Sequence, residues 1–389
     1  MQSESHTIET QAVHAGREEL ADWGVHALPI DLSTTNPLPD IEAGGHSYET
    51  MATGGRQPAE GSAVYARLWN PTVARFESGL ATLENAEAAV AFASGMASVS
   101  AALLAMCTGQ NKPHVVAVRP LYGGTDHLLN TGMLGTEATY CAVDEVSSAI
   151  REDTGLVILE TPANPTLELV SIAEVVEQAG GVPVLVDNTF ATPVLQQPLD
   201  HGATMSLHSA TKYIGGHGDV VGGVIACSEE TAVQLRQVRA VTGGILHPMG
   251  AYLLHRGLAT LPMRVHRAQQ TAQQVADWLG THDAIDQVFY PGSDSESAGV
   301  LAGQMRGPGA MVAVRMSGGY SAAEKLTSGV RLFTHAVSLG GVDSLIQHPA
   351  ALTHRPVTPE ARPSADVVRL SIGLEAPEDL IADLDRALS

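Results

Sequence analysis

The sequence of 389 residues predicts an α/β protein with a large, mostly parallel sheet and a smaller C-terminal α/β domain. Between about residues 71 and 245, short apolar runs of strand length alternate with helical patterns. Strands that are apolar throughout and separated by helices are typical of a parallel sheet covered on both faces. After about residue 245 longer helical patterns appear, and a chain of this length favours one large domain plus a smaller one.

The first segment, residues 1–62, is rich in Gly, Pro, Ser and Thr, and we predict that it is irregular. The pairs Gly44-Gly45 and Gly54-Gly55 interrupt any helical period. Such a segment rarely folds alone, so we expect it to lie across another domain or a neighbouring subunit. The predicted domains are therefore this N-terminal extended segment at 1–62, a cofactor-binding domain at 63–245 and a C-terminal domain at 246–389.

The elements of the two domains follow in order from the apolar patterns. In the large domain we predict helices at 72–85, from 95 through 107, from 123, and at 172–179. The strands of that domain are predicted at 88–93, 114–118, 156–159, 183–186, 205–207 and 223–226. In the C-terminal domain we predict a helix at 263–279, strands near 288 and at 311–315, a helix at 322–328 and a closing helix after 377. In parallel sheets of this kind the chemistry collects beyond the carboxyl ends of the strands.

Composition excludes several classes of function. The formal charge of −21 would repel a phosphodiester backbone, so we expect no nucleic-acid partner. We expect no membrane span, because no apolar stretch reaches roughly 18 residues. The three cysteines lack metal-type spacing and are expected to be reduced thiols. Residues 1–16 carry no apolar stretch typical of a secretory signal, so a cytoplasmic protein is expected.

Lys212 is the first candidate for chemistry. The sequence has lysine only at positions 112, 212 and 325, and Lys212 comes just after an apolar strand. Ser209 and Thr211 precede it, so two hydroxyls could bind phosphate oxygens while the amine forms an imine with an aldehyde. This pattern indicates a phosphorylated aldehyde cofactor, whereas the alternative is a surface lysine in a turn.

Two further positions suit the same cofactor, pyridoxal phosphate (PLP). Asp187 ends an apolar strand, where its carboxylate could pair with a protonated pyridine nitrogen, although Asp-Asn is also ordinary turn chemistry. The segment Ser94-Gly95-Met96-Ala97-Ser98 joins a strand to a helix, and its free N–H groups predict an anion site. Each motif alone is common, but the phosphate site, the acid for the ring nitrogen and the imine lysine occur in the order that one cofactor site would require.

Three other segments carry aromatic or cationic side chains. Tyr122 follows a strand, where its ring could stack on a flat cofactor. We expect Tyr65 and Arg67 to lie in an extended segment that places a phenol and a guanidinium on one face, which suits a phosphate dianion. Arg369 alternates with apolar residues on a predicted strand, where it is either on a solvated face or a fork for a carboxylate.

Other ligand classes find less support. The spacing of His201, His208 and His217 matches no common zinc pattern, so we expect no metal. The glycines at 215, 216 and 218 do not form a dinucleotide fingerprint, because no helix-opening G-x-G-x-x-G follows a strand there.

The sequence resembles the Cys/Met-metabolism family of PLP enzymes, which includes cystathionine γ-synthase, cystathionine γ-lyase, methionine γ-lyase and homoserine-ester sulfhydrylases. The resemblance runs nearly from end to end. It rests on TQAVHAG from Thr10, YARLWNPT from Tyr65, SGMAS from Ser94, ETPANP from Glu160, VDNTFATP from Val186, HSATKYIGGHGD from His208, VSLGGVDSLIQHPA from Val337 and VVRLSIGLE from Val367.

The resemblance implies the PLP-dependent transferase fold type I and a homotetramer, a dimer of dimers with shared active sites. It also implies a role for each candidate residue. Lys212 is the catalytic imine lysine and Asp187 the pyridinium partner. Tyr122 stacks on the ring and helps to activate the leaving group. The expected phosphate ligands are Gly95, Met96, Ser209 and Thr211, with Tyr65 and Arg67 reaching the phosphate of the neighbouring subunit. The expected carboxylate clamp is Arg369 with Ser338 and Asn164.

By resemblance, the implied reaction is a γ-elimination from a γ-substituted, sulfur-type amino acid through a vinylglycine ketimine, as in carbon–sulfur lyases. A γ-replacement synthase, including one specialised for secondary metabolism, is the close alternative. An aminotransferase and a non-catalytic protein that merely retains the fold are further ones.

This sequence departs from its relatives at three positions that bear on the substrate. Methionine γ-lyases commonly carry a cysteine where Gly124 stands, and cystathionine-handling members often carry glutamate where Val337 stands. Trp69 replaces a smaller residue. We expect Val337 to contact the substrate, while the leaving group, the nucleophile and the pathway stay open.

Overall fold

The computed structural model describes residues 6–18, 20–355, 357–358 and 362–389. Its helices are α1 (Ile8–His14), α2 (Ile41–Ala52), α3 (Pro71–Leu83), α4 (Gly95–Met106), α5 (Gly123–Thr131), α6 (Val146–Ala149), α7 (Ile172–Ala179), α8 (Thr192–Leu195), α9 (Glu229–Thr242), α10 (Pro248–Leu258), α11 (Leu261–Leu279), α12 (Ser295–Gln304), α13 (Gly319–Gly329) and α14 (Pro377–Leu388). Its strands are β1 (Ala88–Phe92), β2 (His114–Val118), β3 (Glu137–Cys141), β4 (Thr154–Glu160), β5 (Val184–Asp187), β6 (Met205–His208), β7 (Gly223–Cys227), β8 (Ile285–Phe289), β9 (Met311–Met316), β10 (Thr334–His335), β11 (Leu345–Gln347) and β12 (Val367–Ser371).

The larger sheet has the strand order β1-β7-β6-β5-β4-β2-β3. Only β7 runs antiparallel to its neighbours in this part of the described chain, and every other pair is parallel. The carboxyl ends of β1, β2, β4, β5 and β6 therefore meet at one edge of the sheet. That edge is where a ligand site is expected in such a fold.

Helices cover both faces of this sheet. On β5, Leu185 packs in a cluster with Leu103 of α4, while the next residue, Val186, packs with Val175 of α7. Successive side chains of a strand point to opposite faces, so a strand between two helical layers is apolar at every position. This explains the unbroken apolar runs from which the sheet was predicted.

The second sheet is smaller and mostly antiparallel, with the order β10-β11-β12-β9-β8. Leu370 of β12 and Leu384 of α14 belong to a core that continues to Phe76 of α3. The predicted fold class is thus confirmed, whereas the domain boundaries after residues 62 and 245 stay a prediction. Our sequence reading did not include β3 or α9, which the structure adds.

The N-terminal segment is less irregular than predicted, and that prediction is wrong at α2. This helix runs through Gly44 and Gly45, and the side chain of Asp40 caps it by accepting a hydrogen bond from Ala43 N at 2.8 Å. A glycine inside a helix costs only about 1 kcal/mol relative to alanine, which tertiary packing can offset. At Gly44 a Cβ would lie 2.8 Å from the Leu38 side chain, so the missing side chain permits this packing.

Candidate active site

A cavity of about 430 Å³ lies at the carboxyl edge of the larger sheet. Residues after β1, β4, β5 and β6 form one side, and Ser338 and Arg369 close it from the C-terminal part of the chain. The cavity brings together most of the residues predicted from the sequence. They are Gly95, Met96, Tyr122, Asn164, Asp187, Ser209, Thr211, Lys212, Val337, Ser338 and Arg369.

Lys212 lies in the turn that follows β6 and lines the cavity. Its Nζ is 2.7 Å from Oγ of Ser338. Burial, together with the positive charge of Arg369, lowers the pKa of Lys212 to about 8. At that pKa roughly a tenth of the amine is neutral at pH 7, so Lys212 can act as a nucleophile or a base.

Asp187 is the last residue of β5 and faces the same cavity. Its Oδ1 accepts hydrogen bonds from the backbone N of Thr189 at 3.0 Å and from its hydroxyl at 2.5 Å. Burial raises the pKa of Asp187, while these two hydrogen bonds act in the opposite direction. Asp187 therefore forms the turn with Thr189 and also lines the cavity, where its carboxyl group suits a cationic ring nitrogen.

The start of α4 has the features of an anion site. Ser94 caps the helix through its hydroxyl, which accepts from Ala97 N at 3.1 Å. At Gly95 a Cβ would lie 3.0 Å from Cβ of Ser209, so glycine allows the helix start and the Ser209 turn to approach closely. The hydroxyl of Thr211 bonds to the backbone of Gly222 and would have to reorient its proton toward a phosphate.

Arg369 is 3% exposed, so the interpretation of a solvated face is wrong. Strand β12 is paired on both sides, and every one of its side chains is buried. The guanidinium donates to Oδ1 of Asn164 at 2.8 Å and to the carbonyl of Ser338 at 2.9 Å. Its Nε is buried without a partner among the described residues. A buried donor without a protein partner, on a residue that lines a cavity, is suited to a ligand carboxylate.

Tyr122 stands at the entrance, immediately before α5, and is 38% exposed. Burial of its ring and the nearby carboxylate of Glu160 raise its pKa. At Gly124 a Cβ would lie 2.5 Å from Cε1 of Tyr122, so any side chain there would displace the ring from its observed place. The glycine at position 124 therefore determines where the Tyr122 ring can lie.

The structure does not bring Tyr65, Arg67 or Trp69 to this cavity. The segment is also not extended as predicted, because Leu68 N and Trp69 N both donate to the carbonyl of Tyr65 and form a turn. Within that turn the Arg67 guanidinium lies 5.6 Å from the centre of the Tyr65 ring. Trp69 lines a separate polar cavity together with Glu77.

Five polar residues that the sequence did not single out contribute to the site. Four of them line the cavity, and the fifth binds Arg369: Glu160, Thr189, Thr125, Thr353 and, at Arg369, Gln347. Glu160 ends β4 as Asp187 ends β5, so the same criterion, a carboxylate after an apolar strand, could have found it. Gln347 accepts from Arg369 at 2.9 Å through its side chain. No sequence signal distinguishes Gln347, because its position opposite Arg369 depends on the pairing of β11 with β12.

Among the described residues no cluster of three or more His, Cys, Asp or Glu side chains is arranged to hold a metal ion. No helix in the described ranges is both long and apolar enough to cross a membrane.

The residues at the cavity fit PLP. The Gly95 approach leaves backbone N–H groups for a phosphate, Asp187 offers a carboxyl for the pyridine nitrogen, and Lys212 offers an amine of lowered pKa. These groups lie on separate elements that meet at one edge of the sheet.

Comparison with known proteins leads to the same cofactor. Residues 9–389 match the model of the family described as Cys/Met metabolism PLP-dependent enzyme. The chain is 58% identical over 381 residues to an L-methionine gamma-lyase of Brevibacterium aurantiacum, covering 98% of this chain and 94% of the relative. It is 52% identical over 385 residues to an L-methionine gamma-lyase of Streptomyces avermitilis, covering 98% of this chain and 89% of the relative.

A solved structure agrees with the sequence relatives. The crystal structure of metB from Corynebacterium glutamicum superimposes with a TM-score of 0.90 at 37% identity, covering 99% of this chain and 98% of that one. The chain therefore belongs to the Cys/Met metabolism family of PLP-dependent enzymes, with PLP as its cofactor.

Proposed function

We propose that this enzyme is a γ-eliminating carbon–sulfur lyase that holds PLP as a Schiff base on Lys212 and cleaves L-methionine. The observation that carries the proposal is the arrangement of Lys212, with its pKa lowered to about 8, in one cavity with Asp187 and Arg369. When bound, PLP withdraws electrons from the substrate so that its C–H bonds next to the amino-bearing carbon become acidic. The two L-methionine gamma-lyases at 58% and 52% identity support the choice of substrate.

Lys212 is the proposed base. Its lowered pKa provides a neutral amine near pH 7, which can remove the proton from Cα once the substrate amine has replaced it. Ser338 Oγ, 2.7 Å from Nζ, fixes the direction of the amine. Desolvation in the cavity keeps the protonated amine acidic enough to return the proton.

Arg369 is the proposed clamp for the substrate carboxylate. Asn164 Oδ1 and the Ser338 carbonyl hold the two terminal nitrogens, which leaves Nε for the ligand. Because a guanidinium donates its N–H groups in fixed, planar directions, this clamp orients the amino acid as well as binding it.

The entrance favours an apolar γ-substituent. Val337 is 55% exposed and Leu352 is 41% exposed, and both line the cavity, as does Tyr122. A thioether with a terminal methyl group can bury against such surfaces, whereas a second amino acid head group would lose hydration there. Tyr122 is placed to assist departure of the sulfur, and its raised pKa keeps the phenol protonated as a donor.

We further propose a cytoplasmic homotetramer, a dimer of dimers, in which Tyr65 and Arg67 reach the phosphate site of the neighbouring subunit. In support, neither residue lines the cavity of its own chain. The N-terminal segment carries exposed apolar side chains, with Leu32 59% and Ile41 93% exposed, as expected for a surface that another chain covers. The buried, unpaired thiols of Cys107, Cys141 and Cys227 support a reducing compartment.

The test is the product profile of the purified holoenzyme with L-methionine, cystathionine and an O-acylhomoserine, each with and without an added thiol. We expect L-methionine and water to give one equivalent each of methanethiol, 2-oxobutanoate and ammonia, and to be the preferred substrate. Suppression of 2-oxobutanoate by thiol, with formation of a new thioether amino acid as the main product, would instead establish a γ-replacement synthase. Turnover that requires a second keto acid would establish an aminotransferase.

A further inference from the structure

Glu160 is a buried carboxyl group at the cavity for which the proposed reaction has no use. It ends β4, is 5% exposed and lines the cavity. A buried carboxylate requires partners, since an unpaired one carries a large desolvation penalty. The partners of Glu160 therefore indicate what it does.

The two oxygens of Glu160 bind two different loops. Oε2 accepts from the backbone N of Tyr122 at 2.6 Å, and Oε1 accepts from the backbone N of Asn164 at 3.0 Å. Tyr122 carries the ring at the entrance, and the Asn164 side chain accepts from Arg369 at 2.8 Å. One carboxyl group thus connects the ring at the entrance with the support of the guanidinium that we propose as the carboxylate clamp.

Glu160 also lies beside Asp187, its register partner on β5. Burial and the neighbouring Asp187 raise the pKa of Glu160, whereas the two N–H donors and Arg369 act against this rise. The other six residues of β4 are apolar or small and are all buried, so the strand does not need a carboxyl group to pack. Burying one beside a second carboxyl costs free energy. The contacts of Glu160 to Tyr122 and Asn164 give it a different purpose.

We propose that Glu160 is a positioning residue that, by accepting both N–H groups, sets the separation between the Tyr122 ring and the Asn164–Arg369 clamp and so determines amino-acid affinity. This inference rests on the proposed carboxylate clamp at Arg369. Glutamine in place of Glu160 would keep one acceptor oxygen. Its amide NH₂ would face the second backbone N–H, so that two donors would meet and no hydrogen bond would form. Aspartate would keep both acceptors on a side chain shorter by one methylene.

The experiment uses Glu160→Gln and Glu160→Asp, with Glu168→Gln as the matched control. Glu168 lies in the loop that follows β4, is exposed, and accepts a hydrogen bond from the Thr166 hydroxyl. The probe is L-norleucine, an unbranched analogue without a γ-leaving group, titrated into each holoenzyme by the change in cofactor absorbance. The affinity of each cofactor-free variant for PLP and its free energy of unfolding are measured in parallel.

We expect Glu160→Gln to weaken norleucine binding by about tenfold or more, the effect of one opposed hydrogen bond, while its PLP affinity changes less than about threefold. Glu160→Asp should recover part of the norleucine affinity, and Glu168→Gln should match the unaltered enzyme. If Glu160→Gln does not fold, the aspartate variant decides by the same comparison.

Unchanged norleucine affinity in a folded variant would overturn the inference. A parallel loss of norleucine affinity, PLP affinity and stability would also overturn it, because Glu160 would then support only the fold. Norleucine binding does not depend on elimination, so this result stands apart from the product profile that tests the proposed function.

Discussion

The hydroxyl of Ser338 lies 2.7 Å from Nζ of Lys212, and Ser338 occupies this position with a backbone φ of +95°. Residues other than glycine adopt such a conformation at a cost of about 1–3 kcal/mol, and they retain it mainly at functional sites. The carbonyl of the same residue accepts from Arg369 at 2.9 Å. Ser338 thus connects the proposed base with the proposed carboxylate clamp.

Two substitutions of Ser338 distinguish the contribution of its hydroxyl from that of its strained backbone. Both Ser338→Ala and Ser338→Gly remove the hydroxyl, so we expect both to lower kcat by about tenfold or more, as for loss of a hydrogen bond to a charged group. Only glycine relieves the positive φ, so the glycine variant should be more stable than the alanine variant by about 1 kcal/mol. Chemical denaturation and steady-state kinetics measure the two effects. Equal stability of the two variants would contradict the strain, and full activity would contradict the role of the hydroxyl.

Lys212 is expected to destabilise the cofactor-free protein. Its pKa in the folded chain is about 8, below the usual 10.5, so the folded state disfavours the charged amine. The cost of holding a charged Lys212 in the folded chain is present in full below pH 8. It is lost as the pH rises from about 8 to 10.5, because in that window the unfolded chain binds more protons than the folded chain. Lys212→Met should therefore raise the free energy of unfolding at pH 7 by an amount on the order of 1–3 kcal/mol.

The pH dependence distinguishes this effect from better packing of methionine. The gain for Lys212→Met over the unaltered cofactor-free protein should shrink between pH 7 and pH 9.5. The matched control is Lys325→Met, because Lys325 is exposed and its substitution should leave stability nearly unchanged at every pH. A gain that does not vary with pH would contradict the lowered pKa of Lys212.

Arg369→Lys tests the carboxylate clamp. A lysine amine cannot reproduce the fork that binds Asn164, Ser338 and a ligand together, so we expect norleucine affinity to fall by about 100-fold. Arg315→Lys on the neighbouring strand β9 is the control, since Arg315 pairs with exposed Gln287 and lies outside the cavity. Norleucine affinity within threefold of the unaltered enzyme after Arg369→Lys would exclude Arg369 as the carboxylate ligand.

Arg264 is predicted to stabilise the segment that carries Lys212. Its buried guanidinium donates to the carbonyl of Tyr213 at 2.6 Å and to that of Ile214 at 3.2 Å, directly after Lys212. Arg264→Met leaves these acceptors unpaired, and we expect it to lower the free energy of unfolding by about 3 kcal/mol. Arg267→Met, at an exposed position of the same helix, should change it by less than about 0.5 kcal/mol. If Arg264→Met changed the free energy of unfolding as little as Arg267→Met, contacts other than those of Arg264 would hold the segment.

The sequence was sufficient to predict the edge of the sheet where the site lies. Asp187 and Lys212 each follow an apolar strand, and the carboxyl ends of parallel strands meet. Their assembly in one cavity therefore depends on strand periodicity, which the sequence displays directly. The roles assigned to the individual residues stay predictions until they are measured.

Other features depend on contacts that local sequence does not display. Gly44 and Gly45 suggested a break, but packing on Leu38 and the Asp40 cap maintain α2. The turn at Tyr65 forms through backbone hydrogen bonds that an alternating polar pattern does not reveal. Glu160 was not predicted as a site residue, because the backbone N–H groups of Tyr122 and Asn164 that it binds come together only in the folded chain.

The most direct test of the central claim is borohydride reduction of the purified holoenzyme, followed by digestion and mass spectrometry of the lysine-containing peptides. Reduction fixes PLP permanently to the lysine that carries it. We predict that the added pyridoxyl mass appears on the peptide containing Lys212 and on neither exposed lysine, Lys112 or Lys325. Its appearance on Lys112 or Lys325, or the absence of any labelled peptide from a coloured enzyme, would contradict the claim that Lys212 holds the cofactor.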